Sequence, residues 1–166
     1  APGLKGANAT GRPFTGDSAG GYLYHMLGRF GLATSTYGGH AGDGVVLNDV
    51  RITNAVRCVP PQNKPTSAEA TSCRPFLARE IAAMTNLQTI LALGKLAHDA
   101  VLRCFDCRLA AYPFAHQRHY LIAYNYQLIS SYHCSRYNTQ TGRLTDAMFA
   151  SVFTDITRTM AMPQEN

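Results

Sequence analysis

Two short apolar runs limit the fold more than any other feature of this chain. Gln88 to Leu93 reads QTILAL and stops at Gly94, and Leu128 to Tyr132 reads LISSY and stops at His133. Both are too short for a core helix, and each reads as a buried strand bounded by a turn signal. Between and around them the apolar residues change to helical spacing. Tyr22, Leu23, Met26, Leu27 and Phe30 share one face, with Gly31 as a stop. Thr66 or Ser67 caps a helical turn with Glu69 near its start, and Pro75 is expected in the first turn of a main helix carrying Leu77, Ile81 and Met84 inward. Leu96 to Leu102 forms another helix. Thr145 caps a last one with Met148, Val152, Phe153 and Ile156 on its inner face. Two further strands are expected. Arg51 to Cys58 is halted by Pro60-Pro61, which can continue neither a helix nor a ladder, and Leu121 to Tyr126 lies at an edge. Strands separated by helices give an α/β fold, a parallel sheet with helices on both faces. Ligands of such sheets gather outside the carboxyl ends of the strands.

The 166 residues fit one domain over 1–166, with 46% apolar and 15% charged side chains. A net charge of +5 is compatible with a nucleic-acid surface without requiring one. No apolar run is long enough to span a bilayer. The chain begins Ala1-Pro2 without a methionine, so a preceding segment is expected. The Gly-rich stretch from Gly38 to Gly44 reads as a surface loop and not a phosphate cradle, because no helix starts cleanly after it. Five cysteines, an odd number with no secretory signal, argue for a reduced compartment and against a disulfide scaffold. Cys134, and Cys104 with it, read as small buried apolar groups. Cys58 and Cys73 frame a proline-rich loop and could face one metal centre. Such a centre needs four ligands, which the Cys104–Cys107 pair could complete or a preceding segment could supply.

The polar residues cluster at the ends of these elements. His133 closes an apolar strand and opens a loop of donors, Arg136, Asn138, Thr139, Gln140, Thr141 and Arg143. It is either an active-site edge or a locally satisfied histidine. Asn54 interrupts an apolar strand. Its amide can read the donor–acceptor edge of a pyrimidine or bond to backbone. Phe14, alone among small polar neighbours, is a stacking platform or a hydrophobic staple. Asp17 reads best as a helix cap.

Five segments then occur in order: RPFTGDSAG, ITNAVRCVPPQNKP, a second cysteine before RPFLARE, ILALGKLAHDAVL, and SYHCSRYNTQTGRLT. Together they cover nearly the whole chain, and they resemble the uracil-DNA glycosylases. Within that superfamily they are similar to the type-five branch, the iron–sulfur-containing enzymes of bacteria and archaea. The resemblance implies a three-layer α/β/α fold with a four-stranded parallel sheet, whose first strand is truncated here because only Ala1-Pro2-Gly3 matches the first motif. It implies a [4Fe-4S] cluster with Cys58 and Cys73 as two ligands and an N-terminal pair as the others. It implies that Phe14 stacks on the base, Asn54 bonds to its edge and His133 stabilises the leaving base. Asp17 would position the attacking water, and Asn63 would be a further polar group near the base. Lys64, Arg136, Tyr137, Asn138 and Arg143 would meet the DNA. The implied activity is hydrolysis of the N-glycosidic bond of uracil, and of other deaminated bases, flipped out of DNA, by a monomer in the cytoplasm at the bacterial nucleoid. Ala1 stands where relatives in the superfamily carry a polar catalytic residue. Two other readings stay open: a DNA-damage-binding module without catalysis, and a nucleotide-binding domain held by zinc on Cys58, Cys73, Cys104 and Cys107.

Overall fold

A computed structural model describes residues 1–3, 6–34, 37–60 and 64–161. Its elements in chain order are α1 (Ala7–Thr10), α2 (Ser18–Arg29), α3 (Ser67–Ala82), β1 (Thr89–Leu93), α4 (Lys95–Cys104), β2 (Arg118–Leu121), β3 (Gln127–Ser131), α5 (Arg136–Gln140) and α6 (Asp146–Ala161). β3 lies in the middle of the sheet, parallel to β1 and antiparallel to β2. Its side chains alternate between faces, as a strand requires. Leu128 packs with Val101 and Leu102 of α4, and Ile129 packs with Val152 and Ile156 of α6. Helices therefore cover both faces, and α2 joins α6 through Leu23, Met26, Leu27, Phe149 and Phe153. This explains why the LISS run is apolar and then small. Ser130 shares the α4 face with Leu128, is fully buried, and lies 2.7 Å from Nδ1 of the equally buried His98. His98 Nε2 sits 2.8 Å from the Tyr112 carbonyl, which can only accept, so Nε2 carries the proton and Nδ1 receives the Ser130 hydroxyl.

The expected α/β layering is present; among the described residues the sheet is mixed and has three strands, and a four-stranded parallel sheet is not shown among them. Arg51 to Cys58 is not a strand. Its backbone follows a side-chain anchor instead, because Arg51, Thr53 and Arg57 all donate to the carboxylate of Glu80 on α3, at 2.6, 2.7 and 2.7 Å. Burial would raise the Glu80 pKa, but these three donors outweigh it and hold the carboxyl below its ordinary value. The edge strand is Arg118–Leu121, not Leu121 to Tyr126. Tyr124 and Asn125 both take a left-handed φ of 59°, which turns the chain instead of extending it. α3 is capped by Thr66, with a capping box closed by Glu69, and continues through Pro75, which lies in its interior and not in its first turn. The reciprocal cap and the packing of α3 on α4 outweigh the one backbone bond that proline removes.

His98→Leu should strand the Ser130 hydroxyl in the core, at about 1–3 kcal/mol for that buried group, and leave the part-buried Tyr112 carbonyl without its partner. Urea unfolding should show a lower midpoint, and an unchanged midpoint would mean that the network carries no stability.

Candidate active site

The RPFTGD segment folds into a tight turn at the head of α2. Asp17 caps that helix, its Oδ1 accepting from Gly20 N–H at 2.8 Å. Gly20 lies so close beneath the turn that a Cβ there would stand 1.9 Å from the Phe14 oxygen and 2.7 Å from its carbonyl carbon. Phe14 itself has φ of 54°, a left-handed conformation that costs an aromatic residue roughly 1–2 kcal/mol. The clamp that holds it is Tyr37. Its hydroxyl donates to the Phe14 carbonyl and accepts from Gly16 N–H, both at 3.2 Å. The Tyr37 ring stacks on Tyr24 with centroids 4.6 Å apart, and the Arg12 guanidinium lies over both rings. Arg12 forks onto Asp43 at 2.8 and 2.7 Å and donates from Nε to Thr15 Oγ1 at 2.8 Å. The Asp43 side chain is 2% exposed. The Arg12 fork, helped by the N–H groups of Val45 and Gly38, holds its carboxyl well below the usual range despite burial.

His133 arrives from the other end of the chain. β1 and β3 end side by side, and Gly94 N–H donates to the Ser131 carbonyl at 2.8 Å. Gly94 has φ of 92°, and a Cβ there would lie 3.4 Å from the Cβ of His133, so a side chain would be both strained and tight against the histidine. Asn138 Nδ2 donates to the His133 carbonyl at 2.8 Å. The imidazole then stacks on Phe14 with centroids 5.7 Å apart and planes at 23°. At this offset contact the two rings form one wall, with no gap between them for a third ring. Burial lowers the His133 pKa first. The Asp17 carboxylate opposes this. The imidazole is thus held neutral, with one N–H to give. The second carboxylate oxygen of Asp17, Oδ2, faces Gly3 and Gly6.

The other expected site residues are placed less closely. Asn54 is half-buried on the segment tied to Glu80, and its amide forms no hydrogen bond among the described residues. Asn63 lies outside the described residues. Lys64, Arg136 and Tyr137 are exposed, the last at 71%. Asn138 is engaged inside the molecule, on His133, as the helix α5 begins with a Ser135 cap. Arg143 places its guanidinium 4.7 Å from the centre of the Tyr132 ring. Cys73 is buried in α3, while Cys58 is exposed. Among the described residues no three metal-ligating side chains converge. Cys58 and Cys73 therefore supply at most two thiolates of a four-thiolate set, and the four-cysteine zinc centre is not formed. Cys104 is half-buried at the end of α4 with its thiol pKa raised by burial, and Cys107 Sγ turns to the Phe105 carbonyl. Cys134 is the buried apolar group expected, its thiol pushed up to about 12 by burial. A separate cleft of about 280 Å³ between α3 and α4 presents Arg74, Lys95 and Arg103 and includes none of Phe14, Asn54 and His133.

Gly20→Ala should lose about 1–3 kcal/mol through the overpacked Phe14 carbonyl, and Tyr37→Phe about 0.5–1.5 kcal/mol through the lost hydroxyl bonds. Both are read as shifts of the urea midpoint. Wild-type stability in Gly20→Ala would show that the turn does not press on the helix.

The model of the uracil-DNA glycosylase superfamily matches residues 1–157. The type-5 uracil-DNA glycosylase of Thermus thermophilus is 44% identical over 158 residues, which cover 95% of this chain and 72% of that protein. The type-5 enzyme of Mycobacterium leprae is 41% identical, over 93% of this chain and 69% of its own length. That of Mycobacterium bovis is also 41% identical, over 92% and 58%. With a family match over almost its entire length, and with its first turn and its last inner strand meeting at one aromatic wall, the chain belongs to the uracil-DNA glycosylase superfamily.

Proposed function

We propose that this protein is a DNA-repair glycosylase that hydrolyses the N-glycosidic bond of uracil in DNA and leaves an abasic site. The observation that carries the reading is the Phe14–His133 wall. It joins an aromatic platform to a neutral imidazole across 119 residues of sequence (133 − 14), in a chain 44% identical to a type-5 uracil-DNA glycosylase. Extruding a base costs a few kcal/mol, least for a mispaired one such as uracil opposite guanine. The extruded base would stack on the face of Phe14 that His133 leaves open. Asn54, with an amide that has no partner among the described residues, would bond to the donor–acceptor edge of uracil. As the glycosidic bond breaks, negative charge grows on the base. His133 would meet it with the one N–H of a neutral imidazole, which spends no energy on ionising a desolvated group. Asp17 keeps Oδ2 free of the helix cap and would position the attacking water, with Asn63 as a second polar group.

Lys64, Arg136, Tyr137 and Arg143 are the exposed groups we assign to DNA, as phosphate contacts or a wedge. Asn138 acts through His133. Cys58 and Cys73 would hold a [4Fe-4S] cluster together with two ligands from outside the described residues, and such a cluster would brace the DNA-facing loop. A fourth, parallel strand beside the three belongs to the same proposal, as do a monomeric state and a place at the bacterial nucleoid.

His133→Ala should lower single-turnover cleavage of a uracil duplex by roughly 100-fold or more, the scale of one lost donor to developing charge, while binding to abasic duplex stays nearly unchanged. Undiminished cleavage would remove His133 from the reaction. Asn54→Ala should lose the preference for uracil over cytosine. If that variant chooses as the wild type does, Asn54 does not read the base.

A further inference from the structure

β3 leaves the ladder at Ser131, and the next amide has no strand to pair with. Tyr132 N–H donates instead to Nδ1 of His116, at 3.2 Å. Nδ1 also lies 3.4 Å from Ser131 Oγ, and the His116 ring stacks on the Tyr132 ring with centroids 5.1 Å apart and planes at 19°. A ring nitrogen that accepts from an amide must carry its lone pair, so the neutral ring holds its proton on Nε2. Nε2 is buried and has no hydrogen-bond partner among the described residues. The contacts that meet the geometric standard of a hydrogen bond are thus all on Nδ1, and they and the stacked Tyr132 ring set the ring's orientation. The residue after Tyr132 is His133, whose carbonyl is held by Asn138. The backbone on either side of His133 is therefore held, by His116 at the Tyr132 amide before it and by Asn138 at the His133 carbonyl after it.

We propose that His116 is a positioning residue of the base-releasing reaction: as the neutral Nε2–H tautomer it receives Tyr132 N–H and so fixes the aim of His133, and a proton on Nδ1 releases that grip. This rests on the glycosylase reading. The groups around the ring favour the neutral form. Tyr132 covers it from the end of β3, and Arg143 adds a cation on the Tyr132 ring; the Met148 backbone on α6 pulls the other way, and burial outweighs it. No carboxylate is bonded to it among the described residues. Burial lowers its pKa accordingly. The sign follows: the grip is intact at neutral pH and is lost as pH falls below the ordinary histidine range.

Two variants separate aim from mere packing. His116→Phe keeps a ring against Tyr132 but removes the acceptor, and His116→Asn places a non-titrating acceptor oxygen near the Nδ1 position. In single-turnover cleavage of a uracil duplex at neutral pH, His116→Phe should lose roughly tenfold or more through misplacement of His133, with abasic-duplex affinity unchanged. His116→Asn should recover most of that loss. Between about pH 5 and 8, the acid limb of the wild-type profile should move to lower pH in His116→Asn, leaving the limb due to His133 itself. Full activity in His116→Phe, or a wild-type acid limb in His116→Asn, overturns the proposal, and the acid limb alone decides if His116→Phe does not fold. Wild-type protein that fails to cleave uracil duplex would sink the glycosylase reading instead. In that case NMR titration of the His133 ring still judges this inference, since an identical titration in His116→Asn and wild type would refute it.

Discussion

Everything at the site depends on a carbonyl held from two sides. The Phe14 oxygen is pressed against the backbone of Gly20 and tethered by the Tyr37 hydroxyl, and these contacts keep an aromatic residue in a left-handed conformation that it would not choose alone. The tether is only as firm as what lies behind it. Tyr37 is fixed by Tyr24 and Arg12, and Arg12 by a fork onto a nearly inaccessible Asp43. A partly buried ion pair with such geometry contributes less to net stability than to uniqueness of arrangement. Here the arrangement in question is the direction in which one ring points.

The opposite side of the wall is built on different physics. His133 is placed by the sheet: two strands end level with each other, a glycine removes the side chain that would crowd the histidine, and α4 and α6 lock the central strand from both faces. The α4 lock is partly polar, through His98 and Ser130. One half of the site is thus held by a surface clamp and the other by the core. The two meet as ring against ring, Phe14 on His133.

Much of this was legible in the sequence. β1, α2, α4, β3 and α6 follow from runs and periods that packing then reinforces, and Cys134 behaves as the small buried group its setting suggests. His133 and Phe14 could be singled out because each is chemically out of place in its segment. What could not be read has a common cause, which is partners distant in order. Arg51 to Cys58 looks like a strand by propensity, but three of its side chains answer to Glu80 on α3. Pro75 looks like a helix start, yet the start had been set earlier by the box at Thr66 and Glu69. β2 was displaced because its register with β3 is antiparallel and its outer residues are polar. Tyr37, Asp43 and His116 carry no local mark of their roles. A glycine closing a strand, as Gly94 does, was the one available hint of a close approach.

The shape of β2 bears on how this protein behaves in a crowded solution. A sheet ending in a long, flat, apolar strand offers its unpaired backbone as a template for other chains. β2 offers little of that. It is four residues long, begins with exposed Arg118 and His119, and runs into a turn of two left-handed residues that bends the backbone out of line. Stray strands thus meet a short, charged and crooked margin, and the sheet resists self-association along that border without needing another element to cover it.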